Sequence, residues 1–405
     1  MKYQKKYDIV VAGGGIAGVA AAIEASRNGM KTALVEKTVF TGGLATSGLI
    51  FAYLPLCDGC GTQVTFGLSE ELMRASIVYG PGEIPKGWEN GIKGPAESRF
   101  MVRFSPASFI IALDEILLNA GVDIWFDTVV TGAVMDGQRI TGIEVENKSG
   151  RGIISAKCFV DATGDADLLF QAGAPCVETD NWLSNWAIMA SSDAARNAAK
   201  EGNAKGLLSF YFIGGDNIGR GAPESGKKYL GTDGKNVSEF ILKSRELLVN
   251  DLKKLYAKEG NEKRNDYYPL ALASMPQLRT TRRIDGLSTI TDDGHSRKIS
   301  DSVGLVADWR KKGFVWEVPY ASLLPKKVKG LIAAGRCISN ERDAWEVMRV
   351  IPAAALTGQI AGLSAAVAVK NKTNPDALAV KDIQDALKSK GIPTHIDDVS
   401  RQCKS

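Results

Sequence analysis

Apolar residues in this chain fall into two kinds of stretch. Some are short unbroken runs, and others are longer segments where apolar positions recur every three or four residues. The alternation predicts strands and helices in α/β order. Asp8–Ala12, with β-branched Ile9, Val10 and Val11, predicts a short buried strand. Ile16 to Asn28 predicts a helix stopped by Gly29, and Lys31–Glu36 a second strand ending on an acid. Asp123–Gly132 predicts a further strand. Cys158-Phe-Val-Asp-Ala-Thr-Gly-Asp165 reads as a strand ending in a glycine turn, and Gly330-Leu-Ile-Ala-Ala-Gly-Arg336 repeats that form. A small-residue helix follows from about Pro352, proline suiting a first helical turn. In the middle, Phe240, Ile241, Leu247, Leu248, Leu252 and Leu255 recur at helical spacing within Val237–Lys258, a stripe that reads as core. Leu208–Ile213 and Gly313–Tyr320 predict strands. Asp382–Ser389 predicts a helix within a C-terminal segment, 373–405. No repeat or low-complexity segment is visible.

Composition narrows the class. With 405 residues and 44% hydrophobic content the chain can bury a large core, and two domains are expected. A net charge of +4 gives little support for nucleic acid as the main partner. Six scattered cysteines suit reduced thiols better than a disulfide framework. Cys57-Asp-Gly-Cys60 has no second pair and no nearby histidine, so neither a metal site nor a redox dithiol is the expected reading. Asp8 and Gly13–Gly15 interrupt what would otherwise pass for a signal segment. The chain shows no other long uncharged apolar stretch, and the expectation is a soluble, cytoplasmic protein with no membrane partner.

The glycines after the first strand carry the chemistry. Gly13-x-Gly15-x-x-Gly18 falls where a strand turns into a helix, so backbone can approach a diphosphate at a helix N-terminus. Glu36, closing the second strand, can accept from ribose hydroxyls and would repel a 2′-phosphate. Strand, helix, strand and acid in register point to a dinucleotide.

Further segments resemble a family. GGGIAG, VEK, TGGLATSGL, VDATGDADL with AGAP, GLIAAGRCIS and RVIPAAALTGQIAG together resemble the FAD-dependent oxidoreductases related to the fumarate reductase and succinate dehydrogenase flavoproteins. The resemblance implies a glutathione-reductase-type fold and FAD as cofactor. Gly13, Gly15, Ile16, Ala17 and Gly18 would hold the diphosphate, and Glu36 with Lys37 the adenosine ribose. Gly42, Gly43 and Leu44 would lie along the ribityl chain, and Val129 or Val130 would meet adenine. Ala162, Thr163, Gly164 and Asp165 would close the adenosine side. Gly335 and Arg336 would sit at the diphosphate and ribityl chain. Amides near Ala353 and Ala354 would point at the flavin pyrimidine, where a helix N-terminus stabilises the charge of reduced flavin. Arg336 stands where related patterns often place an acid, leaving that carboxylate contact in doubt.

The expected architecture is a Rossmann-like FAD-binding domain with a parallel central sheet, from 1–177 and 321–372. An inserted α+β substrate or cap domain is expected at 178–320, followed by the 373–405 tail. Only His295 and His395 are present, so a Ser/His/Asp triad is not expected. Arg349 is the first candidate to meet substrate oxygen, followed by Arg279 and Arg283; Arg342 and His295 are weaker ones. No second glycine fingerprint appears, so no built-in NAD(P)H domain is expected, and the electron acceptor stays open. Two alternatives are an oxygen-using flavoenzyme and a flavin-containing scaffold that binds RNA or protein through Lys243, Lys253, Lys254 and Lys258.

Overall fold

The computed structural model describes residues 2–216, 219–223 and 226–401. These form two compact units. The first comprises Met1–Gly43, Ala52–Val177 and Arg283–Ser405, and the second Leu44–Phe51 and Glu178–Arg282.

The first unit is built on a five-stranded parallel sheet. In chain order its elements are β1 (Ile9–Ala12), α1 (Ile16–Arg27), β2 (Thr32–Val35), β3 (Asp123–Trp125), β4 (Cys158–Asp161) and β5 (Leu331–Ala333), followed by α2 (Ile351–Lys370). The strand order is β5-β4-β1-β2-β3. Ala12 pairs in register with Val35 and with Asp161, and Asp161 pairs with Ala333. β1, β2 and β4 are buried at every position, as expected of a parallel sheet covered on both faces.

α1 and α2 pack backbone against backbone. A Cβ built on Gly358 would lie 2.1 Å from the Ala17 carbonyl oxygen, and one on Gly362 would lie 2.3 Å from that of Ala21. Contacts advancing four residues on both helices mean that the two run in the same direction. Their N-termini therefore lie at one end. A buried polar hub ties the pair to its neighbours. Glu24 on α1 accepts from Gln359 at 2.9 Å, from Asn28 at 2.8 Å and from the Lys390 ammonium, and Gln359 accepts from the Leu68 amide at 2.9 Å.

A second sheet in this unit joins Tyr3–Lys6, Gly150–Ser155, Arg139–Asn147 and Val129–Asp136 in that order. The expected single strand over Asp123–Gly132 is thus two strands of different sheets. The Thr128 amide bonds to the Glu36 carbonyl at 3.1 Å, in the gap between them.

The second unit is α+β. Ser184–Ser191 is the middle strand between Ser209–Gly214 and Tyr267–Leu272, antiparallel to both. Alternation sends Ala187 and Met189 to one face, where they pack with Ile213 and Leu248. Leu248 belongs to the Gly234–Glu259 helix, which Asp233 caps by accepting from the Asn236 amide at 2.7 Å. Phe240 and Leu248 of the expected stripe are buried.

Three expectations need correction here. The second unit ends at Arg282 rather than 320. The Ser302–Ala307 and Val315–Pro319 hairpin packs Leu305, Ala307 and Val315 on Val64 of the first unit. One long uncharged helix does exist: α2 meets the length and apolarity of a membrane span, but that apolarity fills the core of its unit. Finally, Cys60 is disulfide-bonded, while Cys57, Cys158 and Cys337 are free thiols. The two cysteines of the CxxC are not joined. Asp58 accepts from the Cys60 and Thr62 amides, forming a tight turn, and Cys57 Sγ accepts from Phe100. Cys403 lies outside the described residues.

Candidate dinucleotide site at the carboxyl edge of the parallel sheet

Because the paired strands are parallel and in register, the segments that follow β1, β2, β4 and β5 all leave from one edge. That edge is where open α/β sheets bind ligands. Gly13–Gly15, Glu36, Ala162–Asp165 and Gly335–Arg336, distant in sequence, are neighbours there.

Close approach explains the glycines. Gly13 has φ +97, and a Cβ on it would lie 2.5 Å from the Ala162 carbonyl oxygen. Gly18 is pressed against Gly13, with 1.8 Å from a built Cβ to the Gly13 carbonyl oxygen. Gly15 differs: it caps α1, a Cβ there would meet nothing within 4 Å, and no side chain caps the helix. Ile16 and Ala17, both buried, open the helix. The uncapped α1 N-terminus thus suits a phosphate.

Glu36 is buried under this loop. One oxygen accepts from the Gly14 amide at 2.7 Å, and the other from the Thr38 amide and hydroxyl at 2.8 Å each. The carboxylate therefore fixes the glycine turn, while Lys37 is exposed. Gly42 donates to the Gly14 carbonyl at 2.8 Å, and a Cβ on Gly43 would lie 3.0 Å from Gly15 Cα. Leu44 opens the short loop assigned to the second unit and accepts from Ile50 at 3.0 Å. Val129 is exposed, and Val130 pairs with Val145.

At β4, Asp161 is fully buried. It accepts from the Thr163 amide at 3.0 Å, the Thr163 hydroxyl at 2.7 Å and the Leu169 amide at 2.8 Å. Burial raises its pKa from 3.8 to about 6, outweighing those donors. After β5, the Gly335 amide donates to Thr357 of α2 at 3.0 Å, and a Cβ on Gly335 would lie 2.8 Å from that of Ala17 and 4.0 Å from that of Ala354. Gly335, Ala17 and Ala354 are thereby gathered at one point, with Ala353 alongside. Nor does any side chain cap the N-terminus of α2. Arg336 Nε donates to the Gly164 carbonyl at 2.7 Å, and Nη2 pairs with Asp165 at 2.6 Å. The arginine in place of an acid thus binds an acid from the preceding motif.

The arginine candidates are not one cluster. Arg279 lies in the second unit, its guanidinium 5.7 Å from the Trp186 ring centroid. In the first unit, Arg283 is 9% exposed and donates to the Ile284 carbonyl at 3.1 Å and the Ser339 hydroxyl at 3.5 Å. It forms no ion pair among the described residues, and burial lowers its pKa. Arg349, just before α2, pairs with Glu346, and its buried Nε has no hydrogen-bond partner among the described residues. Arg342 is exposed and pairs with Asp292 at 2.9 Å. His295 sits against Phe314, ring centroids 4.3 Å apart. Among the described residues no cluster of His, Cys, Asp or Glu could hold a metal ion.

The sequence reading did not single out Gly14, Thr357, Gly358 or Gly362. The last two stand four apart in TGQIAG, a small-residue spacing that signals close helix contact.

The chain matches the family model described as FAD dependent oxidoreductase over residues 8–201 and 222–387. It is 29% identical over 160 residues to a digeranylgeranylglycerophospholipid reductase of Picrophilus torridus, covering 39% of each protein. To an L-aspartate oxidase of Mycobacterium tuberculosis it is 28% identical over 216 residues, covering 46% of this chain and 41% of that protein. The chain therefore spans well under half the length of these curated relatives. The solved structure of a geranylgeranyl bacteriochlorophyll reductase-like protein from Thermoplasma acidophilum aligns with 96% of this chain and 84% of that one, at 15% identity and a TM-score of 0.48. With the family model matched over most of its length, and with bare helix ends and glycine contacts at the sheet edge that suit an FAD diphosphate, the chain belongs to the FAD-dependent oxidoreductase family.

Proposed function

We propose that the protein is an FAD-dependent dehydrogenase or reductase that exchanges hydride between flavin N5 and a small organic substrate. The observation that carries this reading is the pair of uncapped N-termini, of α1 and α2, held at one end by the Ala17–Gly358 and Ala21–Gly362 contacts. Two such ends suit a ligand with negative charge at two separated places, which a diphosphate and a reduced flavin ring provide.

In this reading Gly13, Gly15, Ile16, Ala17 and Gly18 hold the diphosphate, with Gly42, Gly43 and Leu44 along the ribityl side. Glu36 steadies the glycine turn and faces the adenosine ribose with Lys37. Val129, Val130, Ala162, Thr163 and Gly164 enclose the adenosine end. Asp165, drawn in by Arg336 beside Gly335, supplies the carboxylate that position 336 lacks. The amides of Ala353 and Ala354 face the pyrimidine edge of the ring. FAD, when bound, supplies hydride exchange at N5. Arg349 and Arg283 are the groups that orient substrate oxygen and hold its developing charge. The protein acts in the cytoplasm, without membrane or nucleic-acid partners.

The test is an absorbance spectrum of purified protein with identification of the released nucleotide, then anaerobic screening of metabolites for bleaching of the flavin band. FAD at about one per chain and bleaching by an organic donor support the reading. A colourless protein that takes up no added FAD ends it.

A further inference from the structure

The face of the second unit's sheet that points away from the long helix is aromatic. Register places Trp186 opposite Phe212 and Ile188 opposite Phe210, so these four side chains share one face. The other face already holds the aliphatic core of Ala187, Met189, Ile213 and Leu248. Core packing therefore does not account for rings on the outward side, where an antiparallel sheet ordinarily carries polar residues.

These rings form a stack with one open end. Phe51 is 3% exposed and lies on Phe210 with centroids 3.9 Å apart and planes 5° apart. Phe210 is followed by Phe212 at 6.1 Å and 13°. Phe212, the last ring, is 67% exposed. Trp186 stands edge-on to both, at 87° to Phe210 and 75° to Phe212, forming a wall beside the stack. The wall is held from its backbone. The Trp186 amide donates to Gln277 Oε1 at 2.9 Å, and Gln277 Nε2 donates to the Trp186 carbonyl at 3.0 Å. Gln277 is itself buried. Three nearly parallel planes, graded from buried to exposed beside a fixed perpendicular wall, make a pre-organised platform for one more flat ring.

We propose that this platform, Phe212 with Trp186, binds a planar aromatic or conjugated ring of a small organic ligand. The platform lies wholly within the second unit, and its binding is measurable without flavin. A flat ring gains dispersion and quadrupole contact over the whole Phe212 face, whereas a puckered ring of equal size touches it at a few atoms. A peptide would add along the edge of the outer strand, 209–214, rather than on its ring face.

Calorimetric titration of the purified protein with trans-cinnamyl alcohol and with 3-cyclohexylpropanol, alike in length but different in planarity, tests this. The flat alcohol is expected to bind about two- to tenfold more tightly. Phe212→Leu and Trp186→Leu are expected to remove that preference while flavin content and circular dichroism stay unchanged. Equal binding of the two alcohols, or a preference that survives Phe212→Leu, overturns the proposal. So does self-association of the parent that Phe212→Leu abolishes without any change in alcohol binding, since the face would then join two copies. A flavin-loaded protein indifferent to planarity sinks this inference alone. A protein without flavin that still prefers the flat alcohol sinks only the redox reading.

Discussion

The two units bury themselves by opposite means. In the first, backbone meets backbone: the α1–α2 crossing and the Gly13–Ala162 turn leave no room for a methyl group. In the second, side chains meet side chains: on one long helix Phe240 packs with Leu183 and Tyr229, and Leu248 with Ala187 and Met189 of the sheet. The difference teaches where each unit can change. A contact between main chains fixes the positions of helix ends and loops, and so the dinucleotide geometry, but admits no substitution. A contact between side chains can be repacked at moderate cost, and its outward face is free to take on ligand chemistry.

The largest test of that contrast is Gly358→Ala. In an ordinary helix this change stabilises by roughly 1 kcal/mol. Here the added Cβ would lie 2.1 Å from the Ala17 carbonyl oxygen, an atom that cannot rotate away. α2 must shift off α1, and overpacking of this severity costs on the order of 4 kcal/mol. Calorimetry is expected to show a large fall in Tm together with loss of bound FAD. Retention of both would show that the crossing is not tight.

Next in size is a pH effect at Asp161, where the sheet edge meets the nucleotide segments. In the unfolded chain this carboxyl titrates near 3.8, and in the fold near 6, because burial disfavours the charged form. Its contribution to stability is therefore fully present below pH 3.8 and is lost as pH rises through about 6. The loss amounts to on the order of 3 kcal/mol. Urea unfolding of the parent and of Asp161→Asn, followed from pH 4 to 7, isolates it. The difference between the two profiles should change across that window, and parallel profiles would remove the assignment.

Gln359→Leu should cost roughly 2 kcal/mol. It leaves the Leu68 amide without its acceptor and the buried Glu24 carboxylate short of a donor, though Asn28 and Lys390 remain. Because the hub joins α1 and α2 away from the sheet edge, bound FAD should persist at moderate temperature. Loss of FAD in proportion to stability would instead mean that the hub positions the helix ends.

Much of this was legible in the sequence. β-branched runs ending in glycine mark strand ends, so β1, β4 and β5 could be placed, and with them the edge where Gly13, Gly164 and Gly335 gather. Period 3.6 revealed the Gly234–Glu259 helix. Partners distant in sequence were not legible. Nothing near Arg336 announces that Asp165, from another strand, will pair with it. Nor does QLRTTRR reveal that Arg279 and Arg283 belong to different units. The aromatic stack escaped for the same reason, since Phe51 and Phe210 become neighbours only through folding. The boundary at 320 was misplaced because a buried hairpin reads alike in either unit.

The smallest effect sharpens the other side of the contrast. The long helix carries Leu242, 64% exposed, two residues from fully buried Phe240. Residues two apart on a helix point away from each other, so the apolar stripe cannot include both. Lys243 and Lys254 on the same helix find acids three positions away, at Glu246 and Asp251. Leu242→Ala removes no buried contact and replaces one good helix former with another. The expected change is within about 0.5 kcal/mol by urea unfolding, against roughly 3–5 for Phe240→Ala. RNA retention at low salt should be absent before and after the substitution. A loss of more than 1–2 kcal/mol at Leu242 would mean that something covers this face in solution, and the helix would then be buried on two sides by side chains instead of one.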